Sequence, residues 1–423
     1  MTVYQSKVEA MSFFKETAFG TDYSASYASF QQIPFVEGSA VLTLERNVET
    51  PGHAQQRLDG YPIGVLMPKR ATLDFSCNLE TMGTKAASTV AATHTWLTRM
   101  LEIGLGSVHQ VTGTTASVGW TTSTGDVAVD TTLRGGAAIG AVYSTTGAFE
   151  AREIESNDGS NTIVLKLALS EAPSTSEVMY GSTTLYTSTR TTGYNPSGQF
   201  LVQGWNVEDR WLLMGGVCTV SLTIAPGGIA RLNFKWQFAD WDQADGSATA
   251  QDLTGAVLSA STYSDTNTLV VVDSEFRVQT VGTATLSGTL YHPSEISFEP
   301  NITFVPVMSP AGVNNIVGWV RTHVPPVLRG SFTLPYEDSQ EWFTARDSKT
   351  AKMISYQIGS SIASTAGAVL ISAPTVQITN VQRADLNGVL GQKVEWAARH
   401  DTDVTETSGY EGLGESAFRI HFF

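Results

Sequence analysis

The chain has 423 residues, 42% of them hydrophobic and only 15% charged. That apolar share excludes a disordered chain, and the length allows two or three domains. A formal charge of -15 without a cluster of Lys and Arg disfavours wrapping duplex DNA, because phosphate neutralisation needs such clusters.

Short alternating runs bounded by Gly, Pro, Asn and Ser dominate the sequence, the pattern of antiparallel β structure, and helix signals are few and short. The opening Met1-Thr2-Val3-Tyr4-Gln5-Ser6-Lys7 lacks a hydrophobic signal core. No apolar run approaches the ~20 residues that span a bilayer, so synthesis in the cytoplasm without a membrane partner is expected. Residues 1–38 are an opening segment with a turn at Gly20-Thr21-Asp22. A strand follows at Ser39-Ala40-Val41-Leu42-Thr43-Leu44. The chain then enters a long polar excursion from Arg46 to Lys69, with Pro51, Gly60, Pro62 and the β-forming pair Val65 and Leu66. It returns through the strand Arg70-Ala71-Thr72-Leu73-Asp74-Phe75 to a helix-like stretch carrying Trp96-Leu97-Thr98.

Residues 107–190 are rich in Gly, Ser and Thr, with strands near 137–142, 150–155, 162–169 and 184–186. They read as a small self-contained β-barrel inserted at a surface loop. Residues 191–242 complete the first domain with strands at 218–224 and 232–236, and Gly215-Gly216 and Gly227-Gly228 read as the turns bracketing the first of these. A linker is expected at 243–268 and a second domain at 269–423, ending with an exposed acidic loop over 401–415 and a last strand.

The second domain repeats the first. Ser294-Glu295-Ile296-Ser297-Phe298 opens it, and an excursion from Pro306 to Leu328 carries Val317, Trp319 and Val320. Arg329-Gly330-Ser331-Phe332-Thr333-Leu334 follows, then Trp342-Phe343-Thr344. Gly388-Val389 before Gln392-Lys393-Val394-Glu395-Trp396 matches Gly228-Ile229 before Leu232-Asn233-Phe234-Lys235-Trp236. The same order in both halves predicts a duplication. Both excursions are too long for simple turns, and their β-forming residues have no evident partner in their own domain. They read as β-arms that pair with a neighbouring subunit, with Arg46, Gly60, Val65, Leu66, Lys69, Val317, Trp319, Val320 and Leu328 as candidate contact residues.

Chemistry leaves few traces. The seven histidines stand in no metal-ligand spacing, and neither a GxSxG elbow nor a phosphate loop occurs. Asp240-Trp241-Asp242-Gln243-Ala244-Asp245-Gly246 lacks the spacing of a calcium loop and reads as a surface loop. Asp401 beside His400 is an acid–base neighbour of the kind any acidic chain supplies. Cys77 and Cys218 fall on the apolar side of their strands, as small buried hydrophobes. Trp236 and Trp396, at matching repeat positions, read as core or interface packing. No catalytic residue, cofactor or metal is expected.

The order of elements resembles the tail tube, or major tail, proteins of long-tailed bacteriophages. The resemblance rests on Glu16-Thr17-Ala18-Phe19-Gly20-Thr21-Asp22 with the strand, arm and strand after it, and on the closing run from Ala368 through Gly388 and Trp396 to Phe418-Arg419-Ile420. It implies a mainly β chain of two tandem β-sandwich tube domains, each with a short helix, contributing to a ring-shaped β-barrel, plus the small inserted β-barrel on the outside. It further implies homotrimeric rings stacked by the arms into a virion tail tube, assembled in the host cytoplasm. Partners would be a tape measure protein in the lumen and tail terminator or tip proteins at the ends, with DNA passing through an acidic lumen unbound. A capsid decoration or baseplate hub protein, and a secreted carbohydrate-binding or adhesin-type β protein, are the competing expectations.

Overall fold

Strict alternation sets the strands. In Arg70–Asn78 and Arg231–Phe238 every second side chain is buried, Ala71, Leu73, Phe75 and Cys77 facing Leu232, Phe234, Trp236 and Phe238. The computed structural model describes residues 8, 10–20, 30–46, 48–49, 65–66, 68–80, 96–111, 114–118, 120–127, 133–143, 146, 148–157, 162–174, 178–187, 194–204, 210–243, 271, 274–281, 288–335, 340–359, 367–386, 388–401 and 412–423.

The chain is mainly β. In order come β1 (Ala10–Lys15), β2 (Gln31–Gln32), β3 (Val41–Glu45), the short pair β4 (Val48–Glu49) and β5 (Val65–Leu66), β6 (Arg70–Asn78) and α1 (Trp96–Leu105). Next are β7 (Gly106–Gln110), β8 (Thr114–Val118), β9 (Thr124–Val127), β10 (Ala138–Val142), β11 (Phe149–Asn157), β12 (Thr162–Leu165), β13 (Val178–Gly181) and β14 (Thr183–Thr187). The first half ends with β15 (Gly198–Gln203), β16 (Arg210–Ile224), β17 (Arg231–Phe238) and β18 (Asp240–Gln243). The second half comprises β19 (Glu275–Thr280), β20 (Thr289–Tyr291), β21 (Glu295–Val313), β22 (Ile316–Pro335), α2 (Glu341–Asp347), β23 (Ala351–Ile358), β24 (Val369–Leu386), β25 (Val389–Ala398) and β26 (Arg419–Phe422).

The two halves share one pairing scheme. In the first, β2 pairs β1, β1 pairs β15, β15 pairs β16, β16 pairs β17 and β18, β17 pairs β6, and β6 pairs β3. In the second, β20, β19, β23, β24, β25, β26, β22 and β21 take those places in the same order, every pair antiparallel. The repeat therefore extends to β1/β19, β2/β20 and β15/β23, whose sequences give no visible match. In each half the helix comes between the third and fourth of the larger strands, and β7–β14 are an addition between α1 and β15 only.

One long strand in each half serves two sheets. β16 pairs with β15 and β18 over its first part and with β17 beyond Val217. The change happens at Gly215-Gly216, which lie within this strand and not in a turn. Gly215 has φ +63, a conformation side chains disfavour, and Gly216 lies under the Phe238 ring where a Cβ would overlap it. Such a bend lets one strand pass from one set of pairings to another. Between the layers of the first half sits an aromatic column, Phe200 contacting Phe13 at 5.3 Å and Trp236 at 4.7 Å between ring centroids. Each such pair adds about 0.5–1.5 kcal/mol beyond simple burial. α1 closes this core with Leu97, Met100, Leu101, Ile103 and Leu105. Trp236 and Trp396 are both buried, neither indole N–H having a partner among the described residues, so they act through packing.

β10-β11-β12-β9-β8-β13 form a closed barrel around Ile139, Ile154, Ile163, Leu165 and Met179. The strand at 184–186, expected inside this barrel, belongs instead to the main sheet. As β14 it pairs with β7 on one side and with β26 on the other. Asp240–Gln243, read as part of a surface loop, is strand β18, because it pairs with β16. The expected linker, apart from Gln243, lies outside the described residues.

Candidate assembly surfaces

Four strands in each half form a sheet with one covered and one open face, and the two sheets are continuous. β16 pairs β21 through Leu222↔Phe298, Thr223↔Ser297 and Ile224↔Ile296, so the order runs β3-β6-β17-β16-β21-β22-β25-β24. The covered face is apolar. On the open face Thr72, Asp74, Arg231, Lys235, Thr223, Glu295, Glu299, Arg329 and Lys393 are exposed, with Ser297 and Glu395 half-buried among them. Acidic and basic groups are interleaved, so this face is not acidic as a whole. A depression of about 810 Å³ lies on it, lined in part by Ser297, Arg329, Gln377, Lys393, Glu395 and His400.

The continuous sheet has two ends. Among the described residues β3 pairs only with β6, and its Val41 is 43% exposed. At the other end β23 leaves β24 after Gln377, so from Ile378 to Leu386 β24 is paired on the β25 side alone among the described residues. These are unpaired strand edges, and an open edge is a template for another strand.

The arms behave differently from each other. Arg46, exposed, and Lys69, half-buried, stand at the base of the first, where β4 and β5 pair through Val48↔Leu66 and Glu49↔Val65. Lys69 Nζ reaches Asp242 and lies 5.0 Å from the Trp241 ring centroid. Gly60 lies outside the described residues. The second arm corrects the expectation of unpartnered strands. Val317, Trp319 and Val320 belong to β22, which continues its pairing with β21 to a turn at Asn314-Asn315. Both turn residues have positive φ, the geometry that closes a tight hairpin. The backbone partner is thus the same hairpin.

That hairpin lies against the first half. Trp319 is buried and donates its indole N–H to the Gly215 carbonyl at 2.8 Å, and Asn195 N–H donates to the Trp319 carbonyl at 2.8 Å. Arg321 donates to the carbonyls of Ile103 and Gly104 at 2.9 and 3.3 Å, and to that of Leu105, at the C-terminus of α1. A cation there meets the negative end of the helix dipole. Leu328 is fully buried where β22 crosses β25, and Val317 is half-buried. Val320 stays 39% exposed opposite Val305 at 49%, leaving an apolar strip on the outer face.

The barrel is joined to the second half by buried charge. Glu153 on β11 meets Arg419 on β26, Lys166 lies 2.5 Å from Asp401, and Arg419 lies 3.2 Å from that same carboxylate. All four side chains are buried, so Asp401 is a core ion-pair member and not part of an exposed loop or an acid–base pair with His400. Burial alone would push the Glu153 carboxyl up. Arg419, the adjacent His421 ring and the Lys166 charge outweigh it and hold the group at about 2. Burial pulls His421 below its ordinary value and so favours the neutral ring.

Ser372, His421 and Glu153 bring a hydroxyl, an imidazole and a carboxylate together, with Ser372 Oγ 3.2 Å from His421 Nε2 and 2.5 Å from Glu153 Oε2. Each is fully buried, and Thr184 Oγ1 occupies His421 Nδ1 at 2.9 Å. No substrate reaches such a site, and the cluster serves packing between β11, β24, β26 and β14. Sequence spacing gives no sign of it, since Glu153 and Arg419 are 266 positions apart. Both cysteines are free and buried, and burial pushes both thiols well up. Among the described residues no His, Cys, Asp and Glu group could hold a metal ion, and no helix is long and apolar enough to cross a membrane. Compared with known protein families and with curated proteins, the chain matches none.

Proposed function

We propose that the chain is a tail tube protein of a long-tailed bacteriophage. Three copies form a ring with pseudo-sixfold symmetry, and rings stack into the tube through which DNA passes. The observation that carries this reading is the β16–β21 junction. It joins two equivalent four-stranded sheets side by side and, among the described residues, leaves an unpaired edge at each end. A repeated sheet with two open edges is a segment of a larger closed surface, and closure removes edges altogether. A head-to-tail contact closes into a ring when its rotation allows. On the open face, hydroxyls and interleaved charges offer a polyanion no dominant attraction, which suits transit of DNA.

In this reading the protein resides in the virion tail after assembly in the host cytoplasm. A tape measure protein occupies the lumen, and terminator and tip proteins cap the ends. The arms act between rings, the first through the segment from Arg46 to Lys69 and the second through the exposed strip at Val305 and Val320. The function is structural and requires no catalytic group. Cryo-electron microscopy of the purified, concentrated protein tests it, with hollow rings or tubes of three chains per layer expected. Six full chains per ring would sink the pseudo-sixfold argument, and a persistent monomer would overturn the reading.

A further inference from the structure

The junction inside the chain specifies one between chains. Corresponding residues can be counted from the paired tryptophans. Trp236 stands across from Leu73, which stands across from Leu42. Trp396 stands across from Gly330, which stands across from Phe298. Leu42 therefore corresponds to Phe298, Val41 to Ser297 and Ala40 to Ile296. Four positions before Trp236, Leu232 faces Leu222, and four positions before Trp396, Gln392 faces Arg383. Leu222, Thr223 and Ile224 thus correspond to Arg383, Ala384 and Asp385, one extra residue being absorbed by the irregularity between Ile378 and Asn380.

The two halves differ in what covers these positions. In the first half the β16–β17 turn is held by Val271, with Gly227 N–H donating to the Val271 carbonyl at 3.0 Å and Val271 N–H donating to the Gly228 carbonyl at 2.8 Å, and Ile229 is 39% exposed. Ala230 there is fully buried. At the matching turn of the second half, Val389 is 60% and Leu390 47% exposed. Among the described residues the edge beside it is open, as is the edge of β3.

We infer that the edge of β24 over residues 383–385 in one copy pairs antiparallel with residues 40–42 of β3 in a second copy, in the register of the β16–β21 junction. This sets Arg383 opposite Leu42, Ala384 opposite Val41 and Asp385 opposite Ala40. The occupant is a second copy of this chain, because the same two kinds of edge already meet inside each copy. Val41 gains an apolar neighbour in Ala384, and the bare Val389–Leu390 turn lies at the same seam. The assignment rests on the ring reading and names its contact.

Paired cysteines test it. Side chains directly opposite in an antiparallel pair have Cβ atoms about 4.5–5.5 Å apart, close to disulfide reach. The V41C/A384C variant of the full chain, concentrated and mildly oxidised, should give covalent multimers on a non-reducing gel, ending in a closed trimer. V41C or A384C alone should give no ladder beyond a dimer. The T223C/S297C variant is the positive control, closing within one chain and reporting that oxidation works. In the unaltered protein, amides of 40–43 and 379–386 should exchange at least tenfold more slowly in the assembled form than in the dilute subunit. Rings seen by native mass spectrometry without the V41C/A384C cross-link, or with equal exchange in both forms, would overturn the seam and leave the ring standing. A ladder from V41C with Q382C in its place would refute the register. Absence of self-association at any concentration would overturn seam and ring together.

Discussion

Single residues carry the joints of this fold. Glu153 neutralises a fully buried Arg419, so E153Q should leave that guanidinium partly uncompensated and cost about 3–5 kcal/mol. Chemical denaturation of variant and parent would measure it, and a loss below 1 kcal/mol would show that Asp401 alone suffices. The same carboxylate gives a pH signature. Its folded value, about 2, lies below the ordinary 4.5, so its contribution is present above pH 4.5 and is lost as pH falls from there towards 2. The parent should therefore lose more stability than E153Q across that window, a difference that acid titration followed by circular dichroism would show. Gly330 is a joint of another kind. A methyl there would overlap the Trp396 ring and the Ser297 carbonyl, so G330A should cost about 1–3 kcal/mol, the usual scale of overpacking, which thermal melts would measure. None of these roles is legible from local sequence, because each depends on a neighbour brought in from a distant strand.

At the scale of elements, the sequence discloses what alternation and spacing encode. Both helices, the inner strands, the two matching tryptophans and three of the six barrel strands, β10, β11 and β12, follow from periodicity. Three things do not. The run Gly215-Gly216 looks like a turn, and only the rings of Phe19 and Phe238 packed against it explain glycine inside a strand. The second excursion looks unpartnered because Pro306, Pro310 and Gly312 interrupt its pattern, yet β21 and β22 pair across Val305↔Val320 and Pro306↔Trp319. Proline is tolerated where its missing N–H faces away from the ladder. The barrel looks self-contained, but β7 and β14 extend the sheet of the second half, and Gln357 bonds Ala151 N–H and the Phe149 carbonyl at 2.8 and 2.9 Å. Excising residues 107–190 should therefore lower the melting temperature and expose β26, whereas excising 114–181 keeps those two strands and should be milder. Thermal melts of the two deletions would rank them, and equal melting would show that β14 adds nothing. Arg321 fastens the second hairpin, so R321A should speed amide exchange over 303–308 and 316–322 about tenfold, each tenfold being ~1.4 kcal/mol of opening energy. Unchanged exchange would assign the hold to Trp319 alone.

For the whole molecule, the repeated pairing scheme outweighs any single motif. Its detection from sequence was partial because backbone pairing constrains alternation more than identity, so β1 and β19 can occupy one place while sharing no recognisable string. The scheme has a kinetic corollary. Because β16 and β21 belong to one polypeptide, their seam forms in a unimolecular step, at an effective concentration fixed by the intervening chain and indifferent to dilution. Exchange at Leu222 to Ile224 should then be the same at nanomolar and millimolar protein, and a concentration dependence there would mean that the seam is made between molecules. Fusion also frees the two halves to diverge. An addition such as the β7–β14 segment can be carried by one half and omitted from the other, so that any closed assembly of such chains displays it at alternate positions, with half the crowding that a single-unit subunit would impose.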